Sequence, residues 1–258
     1  MINLPDVIPS IIYNNTNAER SIFTSSGIDI PNITGERLYE SRSYNERLGK
    51  DEFIVAVMYA MSKKIHIAQQ QALAEGYTLI IYEGFRPYSV KMKISNELIA
   101  LVASNSAVNE GLNRYPWNLS WFIATGVSTH QVGCAIDVSL ASIGEKRHER
   151  TGRYTYLAIE EYTLCSMPTK IHELSAAAIS FAYPVSSGDI AGLDSIPLSE
   201  GMKSSRYAQY LQHCMMDAGL TPLASEWWHF DDWQTFEGLP SKTNGDYVLS
   251  ASYSISPK

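Results

Sequence analysis

Helical and strand-like patterns are interleaved along this chain without a regular alternation. Apolar residues from Ile54 to Ala72 recur at three- and four-residue spacing, and Gly76 is placed to end this helix. The β-branched and aromatic run at 77–82 predicts a strand that leads into the turn EGFRP, and a second helix is predicted from Pro87. The runs CAIDVSL and SEWWHFDDW predict two further strands, with a helix ahead of the last of them. This order predicts an α+β fold, a single domain with a central, mostly antiparallel sheet flanked by helices.

Residues 1–50 show no sustained periodicity and are rich in turn-forming residues. We therefore predict an N-terminal arm over 1–50, packed on a main domain over 51–258, the two forming one structural unit. Two later segments give weaker signals. YTYLAIEEYTLCSM fits either a strand or irregular structure, and KIHELSAAAISFAY fits a short helix.

Charge and cysteine content exclude several classes of protein. The chain has 258 residues and a formal net charge of −7, from 27 acidic and 20 basic side chains, so nucleic acid is not an expected partner. No apolar run reaches the roughly 20 residues that a membrane helix needs, and the N-terminus lacks the features of an export signal. The three cysteines have spacings typical of neither a disulfide framework nor a thiolate zinc site. We expect a soluble protein with free thiols in the cytoplasm, although a chain trimmed of a signal peptide would look the same.

The segment STHQVGCAIDVSL, at 128–140, places two polar groups in a run that otherwise has the pattern of a buried strand. In such a strand Asp137 points away from the more apolar face, and His130 lies just before the strand begins. Gly133 between them lets the chain bend or approach a ligand closely. The pair fits two metal ligands, a carboxylate that orients a histidine, or an ordinary hydrogen-bonded couple.

EWWH, at 226–229, is the second polar constellation. The two tryptophans and their neighbours favour an extended segment, in which Glu226 and His229 would point to opposite faces. Both can serve one site only if a bulge or turn interrupts the strand at Glu226, as is common beside active sites. The alternative is that both tryptophans are core residues and that His229 satisfies a local hydrogen bond.

Together the two segments supply two histidines and an aspartate, a plausible three-ligand zinc set at the mouth of the sheet with a fourth position open to water. Glu226 is then a spare carboxylate, suited to take a proton from water and to deliver one to a leaving nitrogen. Arg86, at the end of the predicted strand over 77–82, offers a charged fork of donors for a tetrahedral intermediate. The alternative for Arg86 is a surface arginine before a turn proline.

The three motifs S-x-H-x-x-x-x-x-x-D at 128–137, E-x-W-H at 226–229 and G-F-R-P around Arg86 resemble, in order and spacing, those of the zinc D-alanyl-D-alanine peptidases. The doubled tryptophan and the upstream NITGERLY are similar to the dipeptidase branch, which includes the vancomycin-resistance dipeptidases. The resemblance spans roughly 30–235.

This resemblance implies zinc-dependent hydrolysis of the D-Ala-D-Ala dipeptide, in peptidoglycan precursor metabolism or in glycopeptide resistance. It implies one Zn²⁺ ion per chain, bound by His130, Asp137 and His229. It also implies that Glu226 is the general base and acid and that Arg86 stabilises the transition state. A small D-amino-acid peptide would be the partner.

Two further residues are implied as substrate contacts. Ser128 would help to hold the terminal carboxylate of the substrate, or its hydroxyl caps the loop. Where the dipeptidases have a Phe-Asp pair after a methionine, with the aspartate on the free amine of the substrate, this chain reads MPTKIHELS. That segment offers His172 or Glu173, and only Glu173 keeps the negative charge. We therefore predict Glu173 as the partner of the amine.

The departure at MPTKIHELS keeps three functions open. The first is a D-Ala-D-Ala dipeptidase, and the second is a D,D-carboxypeptidase or endopeptidase of the same fold that acts on longer stem peptides. A pocket without a partner for the amine would accept longer peptides. The third is a non-catalytic zinc-binding module, which would have no need of Glu226.

Overall fold

A computed structural model of the chain describes residues 7–9, 12–13, 23–33, 43–45, 50–52, 55–151, 154–188, 190–240, 242–245 and 247. The helices are α1 (Tyr59–Ala74), α2 (Tyr88–Ser104), α3 (Ser106–Leu112), α4 (Glu200–Ser204), α5 (Arg206–Asp217) and α6 (Trp233–Glu237). The strands are β1 (Val7–Pro9), β2 (Ile12–Tyr13), β3 (Thr24–Ser25), β4 (Ile28–Asp29), β5 (Ser43–Asn45), β6 (Lys50–Glu52), β7 (Tyr77–Glu83), β8 (Ala135–Ile143), β9 (Lys146–Thr151), β10 (Tyr154–Ile159), β11 (Tyr162–Leu164), β12 (Thr221–Leu223) and β13 (Glu226–Asp231).

The main sheet has the strand order β12-β13-β8-β7-β2, and β11 also pairs with β8. Its neighbours are antiparallel except for β2 and β7, which are parallel. β8 lies at the centre and is buried along most of its length, as expected for a strand covered on both faces. The α+β prediction is confirmed: the chain is a single domain of mostly antiparallel sheets flanked by helices.

The first long helix confirms the predicted stripe but begins later than the pattern suggested. Met61, Ile65, Ala68 and Ala72 are buried on one face of α1, whereas Tyr59 is its first residue. The preceding residues 55–58 are not helical because their backbone bonds elsewhere. The N–H of Met58 donates to the Gly133 carbonyl, and the Ala56 carbonyl accepts from the N–H of Phe85. Tertiary hydrogen bonds therefore override the helical period at this end. Ile54 lies outside the described residues.

The strands predicted over 77–82 and 134–140 and the helix after Pro87 are found as β7, β8 and α2. The strand predicted over 225–233 is found as β13, but it ends at Asp231, and Trp233 begins α6. The segment YTYLAIEEYTLCSM forms β10 and β11. Within the N-terminal arm, β2 joins the main sheet beside β7, and β1 pairs with β10. The boundary at residue 50 stays a prediction.

The helix predicted for KIHELSAAAISFAY, over 170–183, is wrong. The segment consists of turns and isolated bridges, and His172 has a positive φ of 61°. Its backbone pairs with the β3–β4 hairpin: the N–H of Thr24 donates to the His172 carbonyl, and the N–H of Leu174 donates to the Thr24 carbonyl. Backbone groups committed to a strand-like partner cannot also form helical hydrogen bonds.

Cys134, Cys165 and Cys214 are all unpaired, as predicted from their spacing. Burial raises the pKa of each thiol, that of Cys134 to about 12. The three thiols are therefore protonated at neutral pH and are poor metal ligands. In the part of the chain that is described, no helix combines the length and apolar character needed to cross a bilayer. The cytoplasmic location stays a prediction.

Candidate metal centre

Three side chains from adjacent strands lie in one row across the main sheet. The antiparallel register places His229 of β13 opposite Asp137 of β8, and Asp137 opposite Glu83 of β7. Directly opposed residues on neighbouring strands project to the same face. All three are buried. The sheet register alone therefore gathers one imidazole and two carboxylates on one face.

A β-bulge in β7 brings Glu83 into this row. The register passes from Ile81 opposite Val138 to Glu83 opposite Asp137, so Tyr82 is an extra residue in β7. Without the bulge Tyr82 would face Asp137, and Glu83 would project to the other face.

A second irregularity lies where β12 meets β13. Pro222 is opposite Phe230, whereas the next residue, Leu223, is opposite Glu226. One step along β12 thus corresponds to several residues of β13, which breaks the alternation between Glu226 and His229. Oε2 of Glu226 lies 3.9 Å from Nδ1 of His229. The interruption that the sequence required for both residues to face one site is present.

His130 reaches the site from the 3₁₀ turn Thr129–Val132, immediately before β8. The turn ends at Gly133, whose left-handed conformation (φ 69°) is readily adopted by glycine. The His130 carbonyl accepts from the N–H of Arg86 at 3.0 Å, which ties the EGFRP turn to this segment. A Cβ at Gly84 would lie 2.7 Å from the Ala56 carbonyl oxygen, so the close approach of these chains requires glycine there.

Three potential ligand atoms converge near the N-terminal end of β8. Nε2 of His130 lies 3.0 Å from Nδ1 of His229, and Oδ1 of Asp137 lies 3.2 Å from each of these nitrogens. Atoms at about 2.0–2.1 Å from a tetrahedral zinc ion are roughly 3.3 Å from one another. The three atoms, which we call the ligand trio, therefore have the spacing of three corners of a zinc tetrahedron.

The outward nitrogens of both imidazoles have acceptors. Nδ1 of His130 lies 2.6 Å from the Gly84 carbonyl oxygen, and Nε2 of His229 lies 2.8 Å from Oδ1 of Asp231. Carbonyl and carboxylate oxygens only accept, so these outward nitrogens carry protons and the inward nitrogens can present lone pairs. This is the arrangement that metal-binding histidines require, and the residues present fit a zinc ion.

The electrostatics of the ligand trio also favour a cation. Burial opposes a charged His229, yet the Asp231 and Asp137 carboxylates hold its pKa well above the usual value. Burial likewise raises the pKa of Asp137, but the adjacent His130, His172 and His229 hold it well below its ordinary range. A site that stabilises positive charge in this way can exchange a proton for a metal ion.

A second group of potential ligands shares Asp137 and includes Glu83 and His172. Here the positive charge comes from the protein, because Nη2 of Arg86 hydrogen-bonds to Glu83 and lies 3.4 Å from Oδ2 of Asp137. Burial raises the pKa of Glu83, but Arg86 and, to a smaller extent, His130 lower it, and the net effect is a lowered pKa. The second group therefore fits a guanidinium rather than a second metal.

Arg86 and Glu226 lie close to the ligand trio. The Arg86 side chain is only 14% exposed, and its Cζ lies 5.4 Å from the centre of the Phe23 ring, so it is not a free surface arginine. Burial raises the pKa of Glu226 to about 7, with Asp137 adding to the rise and His229 and Arg86 opposing it. A carboxyl with a pKa near neutrality can both accept and return a proton.

The two candidates for the substrate amine face different ways. The Glu173 carboxylate accepts hydrogen bonds from the Thr24 hydroxyl and from the N–H groups of Ser26 and Gly27, all in the β3–β4 hairpin. His172 instead points toward the ligand trio, and its Nε2 lies 3.1 Å from Oδ2 of Asp137. These contacts do not favour Glu173 as the amine partner, which stays a prediction.

Ser128, the predicted partner of the substrate carboxylate, directly precedes the turn that carries His130. Its backbone N–H donates to Oε1 of Gln131 at 3.3 Å. Ser128 is partly exposed, and a capping box joins it to Gln131, which fits the alternative that its hydroxyl caps the loop. Its role in substrate binding also stays a prediction.

Asp231 and Glu83 are two residues of the candidate metal centre that the sequence patterns did not indicate. Asp231 lies two residues after His229, a spacing that places both side chains on one face of a strand, so the pattern could have revealed it. Glu83 precedes Arg86 by three residues, but its place beside Asp137 depends on the bulge at Tyr82, which no residue type in the segment indicates.

The comparison with known families supports this geometry. A family model described as D-ala-D-ala dipeptidase, of peptidase family M15, matches residues 44–244. A sequence search among curated proteins found no match. The matched range includes the ligand trio, Glu226 and Arg86.

Proposed function

Because the chain belongs to the D-Ala-D-Ala dipeptidase family of metallopeptidases, we propose that it hydrolyses the D-Ala-D-Ala dipeptide with one zinc ion bound by His130, Asp137 and His229. The observation that carries the proposal is the ligand trio, whose atoms lie 3.0 to 3.2 Å apart, with a Glu226 oxygen 3.9 Å from one of them. Removal of this dipeptide would act on the supply of peptidoglycan precursors, which is also the route to glycopeptide resistance implied by the resemblance.

The proposed mechanism divides the chemistry among the residues around the trio. When bound, the ion supplies a Lewis acid and lowers the pKa of water to about 7. Glu226 takes a proton from the attacking water and returns one to the leaving nitrogen. Arg86 donates to the oxygen that gains negative charge in the tetrahedral intermediate. Because Glu83 and Asp137 hold the guanidinium, no reorientation is needed when that charge develops.

A second candidate function is cleavage of longer stem peptides by the same machinery. The observation that favours it is the engagement of Glu173, whose carboxylate already accepts three hydrogen bonds from the β3–β4 hairpin. A carboxylate held in this way is less available to a substrate ammonium group. A substrate whose amino end continues into a peptide would not need such a partner.

Substrate length distinguishes these two functions. We expect hydrolysis of D-Ala-D-Ala, and we expect Glu173→Gln to raise the KM for this dipeptide, but not for its N-acetylated form, if Glu173 binds the amine. The measurement is amine release from the dipeptide, the N-acetyl dipeptide and a pentapeptide stem. The thermal midpoint of each variant should be recorded, because Glu173 also holds the hairpin. Unchanged dipeptide turnover in the variant, with the stem cleaved as well or better, would favour the second function.

Metal dependence separates either enzyme from a non-catalytic zinc module. We expect one zinc per chain, loss of activity on treatment with a chelator, and recovery on adding Zn²⁺. The thermal midpoint should fall when the metal is removed, because a ligand at a thousand times its Kd stabilises the folded state by about 4 kcal/mol. Elemental analysis and thermal unfolding test both points. Active protein without zinc would contradict the metal site, whereas zinc-stabilised protein that cleaves none of the three peptides would support the module.

A further inference from the structure

His172 is a buried histidine that the proposed mechanism does not use. Its side chain stacks on the Phe23 ring with centroids 4.2 Å apart and planes 6° from parallel, and the edges of Tyr82 and Trp228 flank it. Its φ of 61° is uncommon for a residue other than glycine and carries a conformational cost. A strained, tightly packed polar residue next to the ligand trio suggests a specific task.

The hydrogen bond that His172 makes is to the outer oxygen of Asp137. Oδ1 of Asp137 belongs to the ligand trio, whereas Oδ2 lies 3.1 Å from Nε2 of His172. A carboxylate only accepts, so Nε2 of His172 carries the proton and donates. Nδ1 of His172 is buried and has no hydrogen-bond partner within the described part of the chain. The orientation of the ring therefore satisfies the hydrogen bond to Asp137 but leaves Nδ1 without one.

We propose that His172 is a positioning residue that, through its Nε2–H bond to Oδ2, holds Oδ1 of Asp137 toward the metal. The inference rests on the proposed metal site. A carboxylate can rotate and present either oxygen or both to an ion, and an outer donor to one oxygen selects the other. Loss of such an outer partner typically lowers metal affinity by 10- to 100-fold. Nη2 of Arg86, at 3.4 Å from Oδ2, is a longer contact and only partly replaces this bond.

The surroundings of His172 explain how the ring is held. The two neighbouring side chains point in different directions, His172 toward Asp137 of β8 and Glu173 toward the β3–β4 hairpin. Three hydrogen bonds to the Glu173 carboxylate and the Thr24 to His172 backbone bond fix the hairpin on this segment. The hairpin in turn places Phe23 against the imidazole ring. Glu173 thus helps to fix the position of the His172 ring through the hairpin and Phe23.

Two conservative substitutions distinguish this role from mere packing. In His172→Gln, the amide nitrogen takes a place similar to Nε2 and can donate to Asp137. In His172→Asn, the amide is too short to do so, although asparagine tolerates the left-handed backbone better than most residues. His213→Asn is the matched control, because the His213 side chain is 68% exposed on α5 and belongs to no part of the proposed site.

The measurement is zinc affinity by competition with a chelator, together with the thermal midpoint of the metal-free proteins. We expect His172→Asn to bind zinc 10- to 100-fold more weakly, and His172→Gln and His213→Asn to stay within a few-fold of wild type. The visible absorption of the Co²⁺-loaded protein should change in His172→Asn and not in His172→Gln. Wild-type affinity in His172→Asn, or equal losses in Asn and Gln variants, would overturn the inference. Wild-type protein that binds no zinc would instead reject the metal site itself.

Discussion

Replacing Glu226 by alanine is expected to lower turnover of D-Ala-D-Ala by about 10²- to 10⁴-fold, the usual contribution of a general acid–base group. Glu226→Gln should give a similar loss, because the amide keeps the size of the side chain and cannot take a proton. Zinc binding should survive in both variants, since the ligand trio comes from other residues. The burial that raises the Glu226 pKa to about 7 gives the carboxyl a proton affinity suited to both proton transfers.

The test is kcat for the wild type and both variants, with zinc content determined on the same samples. Glu75→Gln provides the control, because Glu75 is exposed at the end of α1 and lies outside the site. Full turnover in Glu226→Gln would assign the proton transfers to another group. Loss of zinc together with activity would instead make Glu226 a ligand, in addition to the ligand trio.

The parts of the site that the sequence predicted are those whose position follows from local rules. Strand periodicity put Asp137 on the less apolar face of β8, and β8 lies in the centre of the sheet with Asp137 facing His229. The requirement for an interrupted strand at Glu226 followed from the same periodicity, and the register shift at Leu223 meets it. The glycines of EGFRP and of HQVGC mark the close chain approach at Gly84 and the left-handed turn at Gly133.

The features that escaped prediction depend on contacts between distant segments. The 170–183 segment has an alanine-rich, helix-like composition, yet its backbone hydrogen-bonds to distant parts of the chain. The His172 carbonyl and the Leu174 N–H bond to Thr24, and the N–H groups of Ala176 and Ser180 donate to the Gly111 and Ala224 carbonyls. Local propensity is weak against such tertiary bonds. The charge on Glu173 suggested an amine partner, but the sequence carried no sign of the N–H groups of Ser26 and Gly27 that take it up.

Arg86→Ala is expected to lower kcat by about 10²- to 10³-fold, the usual loss for one oxyanion donor, with a smaller change in KM. The variant has a side effect, because it leaves the buried Glu83 carboxylate without the guanidinium that lowers its pKa. Breaking a buried ion pair from one side destabilises a protein by about 3–5 kcal/mol. The double variant Glu83→Gln/Arg86→Ala removes that unpaired charge and should recover stability while kcat stays low.

The assays are kcat, KM, zinc affinity and the thermal midpoint for both variants. Arg206→Ala serves as the control, because Arg206 is exposed at the start of α5. If Arg86 instead held the substrate carboxylate, the KM would rise while kcat stayed constant, since binding common to the ground state and the transition state would be lost. If its contact with Oδ2 of Asp137 were its main role, zinc affinity would fall in parallel with kcat. Arg86 is assigned to the developing oxyanion only if the double variant loses kcat while it keeps its zinc affinity and its stability.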